Sequence, residues 1–554
     1  MISTKWYVAD FETTSYKFYE QNGYTKVWLW AICDSDANMV EIGTTIEDFI
    51  KLLRKMYGKT IYFHNLKFDG EFIISWLLNN GFQYYEELKN QKRGFTTLIG
   101  EMGEFYGMDI KFADHRIVHI HDSLKLLPFK VSKIAKDFGL PILKEKIDYD
   151  NYIVDANKIS YITNDVRIVA MALKQIKDEG MTKRTTASCA YGQYTGMRSE
   201  DYLNDSFPTL NDEFLDEWRK AYRGGRSQVS PLYRGKVLHN VKRFDINSMY
   251  PSIMYNEKLP YGEPIPIDKR NTTAFELYHV LIHFTLKRGH LPSLLKKTSI
   301  FGDDDSYYIE TDEVEEIWIS NIDYDLLEKH YDIHYVQFIE MIGFRTTKLL
   351  FIDYVEKWYE RKSIDTGAKK IVDKLMLNCL YGKFGSNHKG YHKIPTLDEE
   401  TGKVKYIKSD ICDMKKYYLP IAIAITSYAH KYIDDAIEKT GIENFVYCDT
   451  DSVHTLGTLP DDMIDNKKLG KFKLEGIEEK AKYIRQKSYI TYEKGKYTIT
   501  CAGMTEDMKD EVINKYKNDV FKAFSEGLIV KGKLIPKHVK GGIVLYETTF
   551  QISG

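Results

Sequence analysis

Apolar and polar positions change period several times along the first third of the chain. KWYVADFETT and VWLWAICD are short apolar-rich runs of strand type. TIEDFIKLLRKMYG repeats its apolar residues at helical spacing, IYFHN is a further short strand, and FDGEFIISWLLNNG is a helix closed by glycine. RIVHIHDSL reads as another strand, and residues from about Asn157 to Asp178 as a helix. This alternation predicts an α/β unit ending near Ser188. Beyond it, helices lengthen and strands become isolated. VKRFDINSMYPSIM begins as a strand, and residues from about Phe351 to Phe384 are helical with a break near Gly367. IAIAITSYAHKYIDDAIEK is an apolar-rich helix, and NFVYCDTDSVHTLG is two short strands around a tight Asp-rich turn. Two inserts interrupt this part, about Asn256–Thr347 and about Ser386–Tyr418, and a small mixed unit follows from about Thr505.

At 554 residues the chain exceeds one typical domain, and two to four are expected. Hydrophobic residues at 43% and charged residues at 29% support substantial cores and argue against disorder. The 42 tyrosines suit a long wet groove as well as core packing. A formal net charge of −2 means that any basic surface for nucleic acid is local, with acidic sites offsetting Lys and Arg elsewhere. Cys33, Cys189, Cys379, Cys412, Cys448 and Cys501 form no CxxC pair, which argues against a zinc ribbon and fits a reducing cytosol. The opening MISTKWYVADFETT has no leader pattern and no stretch is apolar enough to span a bilayer, so a soluble intracellular protein is expected. No GxxxxGK(S/T) loop appears, which disfavours an ATP-driven motor of that class.

Two acidic constellations stand out. In VADFETT, strand alternation puts Asp10 and Glu12 on one face. Asp69 falls at a helix start, and Tyr161 and Asp165, four apart, share a helix face. Separated carboxylates with a tyrosine can hold two divalent metals and orient a water for in-line attack on a phosphodiester. Taken singly, each acid is better explained by a structural role, such as a cap at a helix start; their joint order and the apolar strand before the first pair favour the metal reading. Around Asp69, Tyr62, Phe63, His64, Lys67, Phe68 and Phe72 interleave rings with basic groups, as single-stranded DNA would require, although Phe63 and Phe72 also suit a buried strand-to-helix turn.

The second constellation joins Asp245, at a strand end, to Asp449 and Asp451 in YCDTDS. Two carboxylates in one turn repel unless something positive binds, and apolar flanks favour a partly buried metal over a screened surface turn. Lys370, Lys374, Asn378 and Tyr381 recur at intervals of four, four and three, so they line one helix face suited to a triphosphate and a base, or else a solvated lysine face. Tyr222, Gly224 and Gly225 in AYRGGRS permit a close backbone approach, to DNA or in a plain turn. Lys487 and Tyr489 in QKSY read as two residues on one strand face.

In this order and spacing the motifs resemble the family B DNA polymerases, specifically the protein-primed branch of small bacteriophages, the φ29 group, over nearly the whole chain. The resemblance implies α/β and α+β architecture: an RNase H-like 3′–5′ exonuclease domain at 1–188 and a right-hand polymerase domain at 189–554. The latter would comprise palm, insertion 1 (about 256–347), fingers (about 350–385), insertion 2 (about 386–418), palm again (419–504) and thumb (about 505–554). DFET, NLKFDG and the YxxxD form match the exonuclease motifs, implying Asp10, Glu12, Asp69 and Asp165 as metal ligands, with Tyr161 and Lys144 assisting. By the same carry-over Thr13, Tyr62, His64, Asn65, Phe68, Phe72, Ser123, Leu124 and Tyr149 would hold the single-stranded primer end.

DINSMYPS is similar to the first palm motif, implying Asp245 with the adjoining Ile246 in the metal shell and Tyr250 beneath the sugar. KLMLNCLYGKFGS resembles the fingers motif, placing Lys374, Asn378 and Tyr381 at the nucleotide with Lys362 and Lys370 upstream. YCDTDS implies Asp451 as metal ligand supported by Asp449. YRGG, Thr426 with His430, and the KxY element would contact DNA; His430 departs from the usual Arg, which weakens its hold on phosphate near neutral pH. The implied cofactors are two Mg²⁺ per active site, with Mn²⁺ able to substitute. The implied partners are primer-template DNA, dNTPs and a terminal protein offering a priming hydroxyl, with no membrane. A monomer in the cytoplasm of an infected bacterium is expected. The alternatives are a DNA-primed polymerase, a nuclease with an inactive polymerase half, and a non-catalytic single-strand binder, the last having no use for aligned carboxylates that repel phosphate.

Overall fold

The computed structural model describes residues 5–113, 116–148, 150–270, 275–296 and 307–553. Its first unit is built on a seven-stranded mixed sheet. The strand Trp6–Thr13 lies inside it, antiparallel to Val27–Asp34 and parallel to Thr60–Phe63, which in turn runs parallel to Ile117–Asp122. Alternation along Trp6–Thr13 separates two environments. Phe11 packs edge-on against Phe49 and Phe63 at 4.8 and 5.0 Å, while Asp10 and Glu12 point to the opposite face, where the helix Ala156–Asp178 crosses. Val27–Asp34 is buried throughout because both its faces are covered, which explains its unbroken apolar run.

The second unit centres on a five-stranded antiparallel sheet ordered Phe472–Glu478, Val241–Ile246, Ser452–Thr455, Phe445–Asp449, Ser227–Val229. It is packed by the helix Leu419–Thr440, whose Ile421–Ile425 run is wholly buried. The helical stretch before it is two helices, Ile352–Ile364 and Gly367–Phe384, so the expected break falls at Asp365–Thr366 and Gly367 opens the second helix. The first insert contains a four-stranded sheet, Leu259–Pro266, Tyr331–Thr347, Phe275–Leu286 and Glu315–Ser320, carrying the helix Asn321–His330. The second insert contains the hairpin Lys393–Asp398/Lys403–Lys408 and the short pair Lys389–Gly390/Cys412–Asp413.

The chain ends in a long hairpin, Ile529–Val539/Gly542–Gln551, that returns to the first unit. At its tip Thr25 donates to the Lys540 carbonyl at 2.9 Å. Gly541, at φ +95°, lies so close to Thr25 that an added Cβ would sit 2.1 Å from the Thr25 carbonyl oxygen, so only glycine fits. The second insert reaches the same place. Buried Glu71, on the helix Leu66–Asn79, accepts from the Tyr406 hydroxyl at 2.7 Å and lies 3.3 Å from His538, while Gly402 approaches Lys540. Two segments that leave the second unit separately are thus rejoined over the first. Among the described residues no helix is long and apolar enough to cross a membrane.

Candidate active sites

The first constellation converges on a cavity of about 430 Å³. Asp10 and Glu12 enter from the strand, His64, Asn65, Phe68 and Asp69 from the turn into Leu66–Asn79, and Tyr161 and Asp165 from the crossing helix; Lys144 completes the wall. Asn65 adopts the left-handed conformation (φ 71°) that an Asn tolerates, and its N–H donates to Asp122 Oδ1 at 3.0 Å, which turns the chain so that Asp69 faces inward. Lys144 forms an ion pair with Asp165 and lies 4.7 Å from the centre of the Tyr161 ring.

Burial, followed by repulsion from Asp165, pushes the Asp10 carboxyl up to about 7. Burial, followed by Asp10 and Asp165, pushes Glu12 up to about 8. Asp69 is raised well above the carboxylate range by burial and then by Asp10 and Glu12, and Asp165 is raised mainly by burial despite Lys144. The Asp165 Oδ1 oxygen is buried without a hydrogen-bond partner. Crowded acids and an orphaned carboxylate oxygen fit hard divalent cations.

A thermal consequence follows. A carboxyl with a raised folded pKa stays protonated in the fold while the unfolded chain ionises, so its cost grows as pH climbs from the ordinary carboxylate range to the folded value and is complete above it. The metal-free thermal midpoint of Asp69→Asn is therefore expected to exceed that of the parent by a margin that grows from about pH 4 upward, to roughly 2 °C, and levels off once the crowded acids ionise. Millimolar Mg²⁺ should raise the parent midpoint more than that of the variant. Scanning calorimetry showing a constant margin and no Mg²⁺ response would refute the repulsive cluster.

The second constellation gathers on the five-stranded sheet. Asp245 is in register with Ser452, and the turn Asp449–Thr450–Asp451 closes the neighbouring hairpin with Thr450 at φ 56°. The Ile246 N–H donates to the Asp451 carbonyl at 2.8 Å, locking the two strands; Ile246 itself is buried. Burial and then Asp451 push Asp245 up to about 7, and burial raises Asp451. The cations facing this pair come from Gly367–Phe384 and from the strand beside Asp245: Lys374, and Lys473 in register with Asp245. Lys362 donates to Ser248 at 2.8 Å, and its ammonium is lowered by burial and then by Lys374 and Lys370. The Tyr250 and Tyr381 rings lie 4.0 Å apart. Asn378 Oδ1 is buried without a hydrogen-bond partner, a polar atom directed for a ligand.

Several residues expected at DNA have protein partners in the structure. Tyr62, Phe72, Ser123, Thr426 and His430 are 6% exposed or less. Tyr62 packs on Trp6 and accepts from Lys177, and Phe72 lies under Gly542. Ser123 is bonded between His64 and the Phe63 carbonyl, and Thr426 returns its hydroxyl to Ala422 and Ile423. His430 is held by Asp323 and the Gly224 carbonyl. Gly225 approaches Thr450, not an open groove, and Tyr222 packs on Gly385. Lys487 is not in a strand beside Tyr489. It occupies a left-handed turn (φ 53°), 3.7 Å from Asp449, while Tyr489 packs in a ring cluster with Tyr447 and Tyr483. Thr13 and Leu124 are half-buried, and Tyr149 lies outside the described residues.

Other residues enter unannounced. Leu545, from the C-terminal hairpin, lines the first cavity; Asp122 caps its turn; Glu475 adds negative charge beside Asp245 and Asp451. A further cluster, His330, Asp434 and Glu438, has ligand types suited to a metal, but Lys329 already bridges both acids and Arg226 pairs with Asp434.

The family model for DNA polymerase type B, organellar and viral, matches residues 50–158 and 150–469. The DNA polymerase of Bacillus phage phi29 is 36% identical over 586 residues, covering 99% of both chains, and that of Streptococcus phage Cp-1 is 33% identical over 589 residues with the same coverage. The structure of phi29 DNA polymerase complexed with primer-template DNA and incoming nucleotide superimposes with a TM-score of 0.90 at 34% identity, covering 99% of this chain and 100% of that one. The chain therefore belongs to the organellar and viral type B DNA polymerases and shares their multidomain fold, with exonuclease and polymerase domains.

Proposed function

We propose that this polymerase couples template-directed synthesis to 3′–5′ proofreading, and that it starts replication of a linear phage genome from a terminal protein. The observation that carries the two-activity reading is the pair of acidic constellations, each with carboxyls raised by burial and each on its own sheet. Residues 1–188 supply the hydrolytic site, and residues 189–554 the palm, fingers, thumb and two insertions.

Asp245 and Asp451, with the Ile246 main chain between the strands, would hold the divalent cations of synthesis, and Asp10, Glu12, Asp69 and Asp165 those of hydrolysis. Bound Mg²⁺ supplies charge neutralisation and makes the attacking hydroxyl or water more acidic. The chain does the rest. Lys362, Lys370 and Lys374 receive the triphosphate, and Asn378 offers its unpartnered oxygen to the incoming nucleotide. Tyr250, stacked on Tyr381, forms the floor under the sugar. In the hydrolytic cavity Phe68 stacks on a frayed base, His64 and Asn65 line its path, and Tyr161 with Lys144 orients the water. Template pairing selects the base. The first insertion is the surface offered to a terminal protein, and the second, joined to the thumb over Glu71, favours strand displacement. The protein works as a monomer in the infected host's cytoplasm, and Mn²⁺ can replace Mg²⁺.

A primer-extension gel on a primed single strand tests this. With Mg²⁺ the chain is expected to lengthen the primer when dNTPs are present and to shorten it when they are absent. A candidate terminal protein, added without primer, is expected to acquire a labelled nucleotide. Degradation under every condition would reduce the function to that of a nuclease. Extension without nucleotide transfer to any protein would favour a DNA-primed enzyme.

A further inference from the structure

The segment joining the two units passes behind the Asp449–Thr450–Asp451 turn. The Thr450 N–H donates to the Arg226 carbonyl at 2.7 Å, and a Cβ on Gly225 would sit 2.8 Å from Thr450 Oγ1. The linker is therefore the back wall of the turn, and its position sets that of Asp451. Something must hold the linker in turn, because Gly224 itself is exposed and an added Cβ there would meet nothing within 4 Å.

His430 does so. Its Nε2 lies 2.6 Å from the Gly224 carbonyl oxygen and its Nδ1 lies 2.8 Å from Asp323 Oδ1, with both side chains buried. A carbonyl oxygen only accepts, so Nε2 carries a proton. Burial alone would raise the Asp323 carboxyl, but His430 and Arg223, with a hydrogen bond from Ser427, outweigh it and keep Asp323 below the ordinary carboxylate range. The Asp323 carboxylate holds the other ring nitrogen, so the imidazole is a two-ended clamp. Three elements meet on it: the first insertion's helix Asn321–His330, the helix Leu419–Thr440, and the linker. One helical turn further along Leu419–Thr440, Asp434 repeats the connection, accepting from Arg226 of the linker at 2.9 Å and from Lys329 of the insertion at 2.8 Å.

We propose that His430 is a positioning residue for nucleotidyl transfer: anchored by Asp323, it fixes the Gly224 carbonyl and, through Gly225 and Arg226, the Asp449–Thr450–Asp451 turn, tying the first insertion to the geometry of the polymerase metal site. This rests on the assignment of Asp245 and Asp451 made above. Removing the ring takes the donor from Asp323 Oδ1 and from the Gly224 carbonyl, while Asp323 Oδ2 keeps the hydroxyls of Ser427 and Ser320. A supporting residue behind a metal ligand typically governs metal affinity by about 10–100-fold.

The test uses the full-length chain, His430→Ala and the milder His430→Gln, with Asp451→Ala as control. Hydrogen–deuterium exchange on metal-free protein reads the clamp without any activity. Peptides spanning residues 222–228 and 446–453 are expected to exchange at least about tenfold faster in His430→Ala, while the strand Trp6–Thr13 is unchanged. In extension assays the half-saturating Mg²⁺ should rise by about tenfold in His430→Ala and less in His430→Gln, with hydrolysis within about twofold of parent. Parent-like exchange and Mg²⁺ requirement would overturn the proposal. So would faster exchange everywhere with both activities falling together, since that is ordinary loss of stability. If Asp451→Ala still extends primers, the metal-site assignment has failed first and the proposal falls with it.

Discussion

Asp451→Ala is expected to slow primer extension by roughly a thousandfold while leaving 3′–5′ hydrolysis within about twofold of parent. The size of the loss comes from the environment. Asp245 ends a strand and Asp451 lies in the turn beside it, both with carboxyls raised by burial, so a shared cation would keep them ionised, and one held by a single acid would be held poorly. The nearby acid cannot substitute, because Glu475 is engaged with Arg243 at 3.5 Å on the next strand. The selectivity comes from the architecture: the acids proposed for hydrolysis stand in another unit, Asp10 and Glu12 on its sheet and Asp69 and Asp165 on its helices. Single-turnover extension of a matched primer at saturating Mg²⁺ is the measurement, and a loss of less than about tenfold would mean that another ligand set carries synthesis.

Asp10→Ala should produce the mirror image. Hydrolysis of single-stranded DNA falls by roughly a thousandfold, and extension of a matched primer is preserved. Burial raises Glu12 and Asp69 first, and Asp10 adds its charge to the effect. Its removal relaxes the cluster and loses a ligand without disturbing Phe11, which packs on the far face. A mispaired primer end should then persist on a sequencing gel where the parent removes it. Continued removal would place proofreading in other residues.

The sites were legible where local periodicity governs them. Alternation along VADFETT separates Asp10 and Glu12 from Phe11, helical spacing places Tyr161 above Asp165, and Lys370, Lys374, Asn378 and Tyr381 fall on one helix. Legibility failed where a residue's environment is made by a distant segment. Nothing near Leu545 indicates that it lines a cavity with Asp10, and nothing in TSYAH shows that His430 is enclosed by a carboxylate on an inserted helix. Gly224–Gly225 announces close approach but not its partner, which proves to be Thr450. QKSY suggested a shared strand face because the left-handed turn at Lys487 depends on hairpin register, not on residue type.

The junction at Glu71 gives the molecule a topological character. The Tyr406 hydroxyl and the His538 ring meet on one buried carboxylate, and the Gly541 tip rests on Thr25, so the strap is closed by a few polar contacts and tight backbone packing. A nucleic acid threaded beneath it is linked to the protein like a bead on a string. On a linear fragment the bead slides off the end. On a closed circle there is no end, and escape would wait for the strap to unfasten, so the lifetime of such a complex would be set by the whole junction: Glu71 with its two partners, and Val404 and Ile543 buried against the first unit's core.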